Sequence, residues 1–406
     1  MASARTSIGL IAATLVCAAP ACRTAARVVH TPTIVVSVRR GDARTPCAVL
    51  GARLREDRER AVEHGMAFIE AYLAPDERMR AMGADGAAIF FEIAQTATSA
   101  RIRASAETTA RSMAARVLPR YLEPGGVQLA QDFSDALELL IEGANFGMPT
   151  ERLRDVLRAR FRAFTDDDDA YGLPISRGGD LTDGQAFDML LRAYTFERAD
   201  VVSPSAFPVR FGLEAALRLV WSRPLAPLPE LDTVAGDHVE SAYLATHVAL
   251  VLSEYGRRPL PTTVLGRFEV YLREGLPRFV RSRDVELAAE TSDVLRQLGE
   301  RDEVHVPLCS ATQLLLDAQS PDGSWGRWAR DATPYDALHP TWAAVTGLLE
   351  RSPAAENAYS RRVRNILDAL TRAPGLGDQR TRACSAFASK RDVISRMRKN
   401  PNRGSW

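Results

Sequence analysis

The sequence predicts an all-α protein, an (α/α)6 toroid in which outer and inner helices alternate. Three observations lead to this fold class. From about residue 52 onward nearly every segment has the periodicity of a helix. The predicted helices are of two kinds, and the pair of kinds recurs roughly every 50 residues. One such pair cannot bury its own apolar face, so the pairs must stack. An open superhelix is the alternative, but the long, uneven loops favour a closed ring.

The two kinds of helix differ in where their apolar residues lie. Outer helices are amphipathic and heavily charged, and they are predicted at 52–73, 103–122, 151–164, 206–221, 262–280 and 303–319. Inner helices are apolar or small on nearly every side, and they are predicted at 85–99, 131–147, 184–199, 238–256, 284–299 and 339–350. A helix that is apolar all round is buried, whereas a charged amphipathic helix covers it. Residues 52–352 therefore form the predicted toroid domain.

The remaining segments lie at the two ends of the chain. Residues 1–22 contain Arg5, a short apolar run and Ala19-Pro20-Ala21 before Cys22, which is typical of an export signal. The run is too short for a membrane span. Cys22 is predicted to carry a lipid anchor, which would place the protein on a membrane in the periplasm or on the outer surface. The alternative is an ordinary secretory signal cleaved after Ala21. Residues 23–51 form a tether, and 353–406 a basic, solvated tail with one further helix near 360–372.

Composition and cysteine content limit the partners and the forces that hold the fold. The chain of 406 residues is 46% hydrophobic and 25% charged, with a net charge of +1. This is an ordinary globular composition, and such a charge gives no reason to expect a nucleic-acid partner. If Cys17 is removed and Cys22 is lipidated, Cys47, Cys309 and Cys384 remain. Their odd number implies no closed disulfide framework, so Cys309 is expected to pack as a thiol.

The stretch Gln319-Ser-Pro-Asp-Gly323-Ser-Trp325 carries the most specific motif. It resembles the Q-x-x-D/S-G-x-W turn between outer and inner helices in terpene cyclases and protein prenyltransferase β-subunits. A histidine that opens the next helix, His339, follows as in the prenyltransferases. The resemblance implies a toroid fold, a structural role for Gln319, Gly323 and Trp325, and a zinc-ligand role for His339. The Asp and Cys ligands of the prenyltransferases, in a D-x-C arrangement, are absent.

A second pattern, Asp166–Asp169, satisfies the D-x-D-D motif of proton-initiated terpene cyclases. It is followed by "AYGLP" and not by a helical pattern. We therefore interpret it as a solvated acidic loop.

Polar side chains on three successive inner helices form the candidate site. Tyr243 and His247 share one helix face, and so do Glu286, Glu290 and Asp293 on the next inner helix. Imidazoles and carboxylates suit a divalent zinc, iron or manganese ion. The predicted ligands are His247, Glu290, Asp293 and His339, with Glu286 and Tyr243 as catalytic acid–base or supporting groups. The alternatives are a solvated carboxylate face, a packed core histidine and a helix-opening histidine.

These residues predict a metal-dependent hydrolytic or oxidative reaction on a small molecule in a central cavity. One alternative is a metal-free glycan hydrolase or lyase, in which Asp188 or Glu138 pairs with Glu290 across the cavity. Such a site would use tryptophan platforms, for which Trp325, Trp328 and Trp342 are the candidates. The other alternative is a surface lipoprotein that binds a ligand without catalysis, so the sequence leaves open whether the protein is an enzyme.

Overall fold

A computed structural model describes residues 47–176, 181–228, 236–260, 265–326, 332–355 and 357–372. Within these ranges the protein is all-helical and forms no strand, which confirms the predicted all-α class. Cys22, Cys384, Trp328 and the tail beyond residue 372 lie outside the described residues. The helices are α1 (Cys47–Leu73), α2 (Asp76–Met82), α3 (Asp85–Thr96), α4 (Ala100–Leu122), α5 (Ala130–Asn145), α6 (Glu151–Phe161), α7 (Asp167–Tyr171), α8 (Asp183–Val202), α9 (Leu213–Ser222), α10 (Asp237–Leu252), α11 (Arg267–Ser282), α12 (Val285–Gln297), α13 (Val306–Ala318), α14 (Pro334–Leu348) and α15 (Ala358–Arg372).

Each predicted outer and inner helix has a counterpart in this series, and the difference in burial between the two kinds is clear in α10 and α6. In α10, a predicted inner helix, every residue from Leu244 to Leu252 is buried. In α6, a predicted outer helix, only Leu153 and Leu157 are buried. For these two helices the apolar pattern predicted burial correctly.

The inner helices contact one another in chain order. Each inner helix packs against the one that follows it in the series α3, α5, α8, α10, α12 and α14. The ends of the first and last are joined as well, because Thr98 N donates to Glu350 O at 2.8 Å and Ser352 N donates to Thr96 O at 2.7 Å. The end of α3 and the residues just after it are therefore hydrogen-bonded to the segment that follows α14.

Two short helices occupy segments in which no helix was predicted. One is α2, and the other is α7, which contains most of the acidic run Asp166–Asp169. The side chain of Asp166 caps α7 by accepting a hydrogen bond from Asp169 N. Carboxylates in a first helical turn are favoured by the helix dipole. The acidic run is thus a helix start, which corrects the predicted solvated loop.

The predicted tail begins with a docked helix. Helix α15 packs against α8 and α9. Tyr359 Oη donates to Val251 O at 2.8 Å, and Arg362 pairs with Glu197 and Asp200. The further helix predicted near 360–372 is therefore present as α15, and it packs against the body.

A disulfide joins Cys47 to Cys309 across 262 residues of sequence. The pair lies in a small apolar cluster with Leu54. This corrects the prediction that Cys309 packs as a thiol, since an odd count of cysteines does not exclude one pair. Helix α1 begins at Cys47 and bends at Gly51, so the predicted tether ends earlier than residue 51. The disulfide links the first outer helix, α1, to the last, α13.

The Gly-Trp turn packs against α1 and holds α14. Gly323 has φ +91, and a Cβ there would lie 2.3 Å from His64 O, so only glycine fits. Trp325 is fully buried, and its Nε1 donates to Leu315 O at 2.7 Å. Gln319 Nε2 donates to Ala61 O at 2.9 Å. A fully buried Trp325 cannot serve as a sugar platform, which corrects that part of the glycan hypothesis.

Among the described residues, no helix combines the length and apolar character needed to cross a bilayer.

We predict that the Cys47–Cys309 disulfide stabilises the fold by restricting the unfolded chain. Closing so long a loop is expected to contribute about 2–5 kcal/mol. In urea titrations, Cys309→Ala should lower the unfolding midpoint relative to the oxidised wild type. With reducing agent present, wild type and variant should unfold at similar midpoints. Identical midpoints for oxidised and reduced wild type would contradict the prediction.

Candidate functional site

Three helices present the polar side chains that the sequence singled out. Helix α12 begins after Asp284, whose side chain accepts from Leu287 N. Helix α14 begins at Pro334 behind a capping box of Thr333 and Asp336. His339 therefore lies in the second turn of α14 and does not open the helix, which corrects the predicted boundary. The α14 capping box is the S/T-x-x-D/E pattern typical of a helix start.

Helices α12 and α14 approach each other closely because Gly347 faces the α12 backbone. A Cβ at Gly347 would lie 2.6 Å from Ala289 O. The close approach brings the carboxylates of α12 within reach of the imidazole on α14.

Glu286, Glu290 and His339 form the central cluster. One side-chain ligand atom from each of the three lies within 4.8 Å of the other two. His339 Nδ1 is 2.7 Å from Glu286 Oε1, and His339 Nε2 is 3.8 Å from Glu290 Oε1. The two carboxylates are one helical turn apart on α12, so both face the same imidazole.

Neighbouring hydroxyl groups engage both carboxylates from α10. The Tyr243 phenol donates to Glu286 Oε1. Thr246 Oγ1 donates to Glu290 Oε2 at 2.7 Å. Glu286 Oε1 thus has two hydrogen-bond partners, whereas Glu290 Oε1 faces the free nitrogen of His339.

His247 lies beside the cluster but outside it. Its Nδ1 is 3.8 Å from Glu290 Oε2 and 3.0 Å from the main-chain oxygen of Tyr243. The Phe187 ring packs edge-on against the imidazole with centroids 4.5 Å apart. The nitrogen nearest the carboxylate is therefore used in a main-chain hydrogen bond, and His247 is not among the three residues whose ligand atoms converge, so its role as a ligand stays a prediction.

Asp293 is bound by an arginine and does not reach the cluster. Arg351 Nε lies 2.7 Å from Asp293 Oδ1, and Arg351 Nη2 lies 2.9 Å from Asp293 Oδ2. The same guanidinium contacts Glu92 Oε1 at 2.7 Å and Thr96 Oγ1 at 2.9 Å. Asp293 lies one turn beyond Glu290, beside the end of α14. Its predicted role as a metal ligand is therefore corrected to that of an ion-pair partner.

The charges in the cluster are set by burial and by mutual contacts. Burial opposes ionisation of Glu286, but the His339 imidazolium holds the pKa of this carboxyl below its usual range. Burial raises the pKa of Glu290 to about 7. Burial favours a neutral His339, yet Glu286 outweighs it and raises the pKa of His339 to about 9. Burial lowers the pKa of His247 to about 3. The two imidazoles beside Glu290 therefore differ in charge at neutral pH.

Sequence reasoning missed a second buried polar cluster. Arg198 Nη2 donates to Glu142 Oε1 at 2.6 Å, and Arg198 Nε donates to Glu254 Oε1 at 3.2 Å. Arg257 Nη2 lies 2.9 Å from Glu142 Oε1. Arg198 Nη1 lies 3.9 Å from Glu138 Oε1. Charged residues inside predicted inner helices, such as Glu142 and Arg198, were the available signal.

The turn that follows α10 connects the two clusters. Glu254 and Tyr255 have φ of 53° and 55°, in the left-handed region that non-glycine residues rarely adopt. This conformation directs Glu254 to Arg198. It also places the Tyr255 ring 6.2 Å from His247 and 5.6 Å from Tyr194 between centroids. Neither Glu138 nor Asp188 is among the three residues whose ligand atoms converge at His339, and their pairing with Glu290 across a cavity stays a prediction.

No protein-family model matches the chain, and no curated protein or solved structure is significantly similar to it.

We predict that Arg351→Met costs about 3–5 kcal/mol of unfolding free energy, because it leaves the buried carboxylates of Glu92 and Asp293 without a partner. The Arg351 side chain is 7% exposed. Arg362→Met is the matched control, since its side chain is 41% exposed and surface ion pairs contribute at most about 1 kcal/mol. Both are measured by denaturant unfolding. Equal losses in the two variants would contradict the prediction.

We predict a pH-dependent stability from His339 in protein treated with a chelator. Its pKa is raised from 6.5 to about 9 by Glu286 against the effect of burial. The folded state thus binds the proton more tightly than the unfolded chain does. The resulting stabilisation is complete below a pH of about 6.5 and is lost as the pH rises through about 9. Unfolding free energy should fall with pH in this window, and less so in His339→Gln.

His247→Gln is the control in the upper part of that window, from about pH 7.5 to 9, because there His247 is neutral in the folded state and almost entirely neutral in the unfolded chain. An unchanged pH slope in His339→Gln would contradict the assignment of the proton to His339.

Proposed function

We propose that the chain is an exported α/α toroid that binds one divalent metal ion at Glu286, Glu290 and His339. The ion would support a hydrolytic or oxidative reaction on a small molecule in the centre of the ring. The observation that carries the proposal is the convergence of two carboxylates and one imidazole within 4.8 Å of one another.

The contacts between inner helices support the toroid. Each inner helix packs against the next, and the segment that follows α14 is hydrogen-bonded to the end of α3. Arg351 adds ion pairs to Glu92 on α3 and Asp293 on α12. The Cys47–Cys309 disulfide connects the first and last outer helices. A series of helix pairs whose two ends meet is a ring, whereas in an open superhelix the ends lie apart.

The donor atoms and their spacing support a metal ion. Mixed imidazole and carboxylate ligands suit zinc, iron or manganese. Two atoms bound to one ion at about 2.1 Å with a tetrahedral angle lie about 3.4 Å apart. The 3.8 Å between His339 Nε2 and Glu290 Oε1 is only slightly longer. Such a site has few protein ligands, and its remaining positions would be open to water and substrate.

The chemistry of the site follows from these residues. A bound ion would supply Lewis acidity or an activated water. Glu286 and Tyr243 would hold and move protons beside it, because they form one hydrogen-bonded chain with His339. Tyr335, stacked on His339 with centroids 5.0 Å apart, and Trp342 would form an aromatic wall for the substrate.

Export is supported by two independent features. Residues 1–22 have the composition of an export signal that ends at Cys22, the proposed lipid anchor to a periplasmic or outer-surface membrane. The Cys47–Cys309 disulfide suits an oxidising compartment.

The test is the metal content of the purified protein, measured by elemental analysis after dialysis and after incubation with Zn²⁺, Fe²⁺ or Mn²⁺. We expect about one ion per chain in the wild type, as in mononuclear sites, and none in His339→Ala or Glu290→Gln. His64→Ala removes an exposed histidine on α1, and Glu107→Gln removes a surface carboxylate. Both controls should keep the ion. A wild type that binds no metal under any of these conditions would overturn the proposal.

A further inference from the structure

We infer that Tyr243 and Glu286 are positioning residues for the proposed metal site, and that His339 Nε2 and Glu290 Oε1 are its protein ligand atoms. The inference rests on the proposed function. It divides the three converging side chains into two that touch the ion and one that orients them.

The hydrogen bond at His339 Nδ1 selects the ligand atom. Glu286 Oε1 accepts from Nδ1 at 2.7 Å, so the ring carries a proton on that nitrogen whether the imidazole is charged or neutral. In the neutral ring the lone pair then lies on Nε2, the nitrogen that faces Glu290 Oε1 at 3.8 Å. A metal-bound histidine commonly donates its other N–H to a carboxylate, which fixes the ring orientation and raises its basicity.

The two carboxylates differ in what their oxygen atoms contact. Glu286 Oε1 accepts hydrogen bonds from both Tyr243 and His339, so its lone pairs are already used. Glu290 accepts from Thr246 through Oε2 alone, and this bond leaves Oε1 directed towards His339 Nε2. Glu290 Oε1 is therefore the carboxylate oxygen that lies beside the ligand nitrogen, at 3.8 Å, whereas Glu286 Oε1 holds the opposite nitrogen of the same ring.

The hydroxyl of Tyr243 completes the positioning group. It lies on α10, whereas Glu286 lies on α12 and His339 on α14. One hydrogen-bonded chain thus connects three neighbouring helices and ends at the metal-binding nitrogen. A change at Tyr243 is expected to alter the geometry of the site without removing a ligand.

The experiment is a Co²⁺ titration of the full protein after chelator treatment, followed by the visible absorption of bound Co²⁺. The wild type should bind one ion. Glu290→Gln and His339→Gln should lose the absorption band. Glu286→Gln and Tyr243→Phe should still bind one ion, with affinity lower by roughly 10–100-fold, as for supporting partners of metal ligands. Their absorption bands should shift, because the imidazole is no longer held in the same orientation.

Glu286→Asp keeps the charge and should recover part of the affinity that Glu286→Gln loses, which a purely structural role does not require. Glu107→Gln should match the wild type in affinity and spectrum, and circular dichroism should show that each variant is folded.

If a folded Glu286→Gln binds no ion, as expected for Glu290→Gln, Glu286 is a ligand and the inference is wrong while the metal site stands. Wild-type affinity and spectrum in both Glu286→Gln and Tyr243→Phe would also overturn it. A wild type that binds no Co²⁺ overturns the inference together with the metal site.

Discussion

The guanidinium of Arg351 is the contact on which the arrangement of the inner helices depends. It is buried just beyond α14, and it binds carboxylates on α3 and α12, the hydroxyl of Thr96 and the main-chain oxygen of Tyr255. Removing such a charge from water is costly unless every donor finds a partner. Here the partners come from helices far apart in sequence, so the cost is offset only when those helices are correctly assembled. The same contact fixes the position of Asp293 and therefore the rotation of α12 about its own axis. That rotation determines the direction in which Glu290, one turn earlier on α12, faces.

The contrast between His339 and His247 shows that a hydrogen-bond partner, and not burial alone, decides where charge resides in the site. Both imidazoles are largely buried and both lie 3.8 Å from a Glu290 oxygen. His339 has an ionised carboxylate at hydrogen-bond distance, whereas Nδ1 of His247 contacts a main-chain carbonyl. A neutral carbonyl cannot compensate the loss of hydration of an imidazolium. At neutral pH the positive charge therefore resides on His339, beside the carboxylates of α12, and not on His247.

Periodicity was sufficient to predict the helices but not the partners of polar side chains. Long apolar segments such as α10 have only one way to avoid water, so their burial follows from sequence. Short helices such as α2 and α7 carry too few residues for a period and were missed. Asp293 and Glu290 share one face of α12, and no local pattern shows that Arg351 pairs with Asp293 and not with Glu290. The pairing of Cys47 with Cys309 likewise depends on helices brought together by the whole fold.

The motif that indicated the fold and the histidine that indicated chemistry belong to one structural unit. Trp325 N donates to Thr341 Oγ1 at 3.0 Å, so the Gly-Trp turn is bound to α14 two residues after His339. Gly323 lies against the carbonyl of His64 on α1, where no side chain fits. The turn therefore sets the position of α14 relative to α1, while Gly347 sets its distance from α12. Because both constraints act on the same short helix, His339 reaches Glu286 and Glu290 only when the turn is formed, and the cluster depends on this turn.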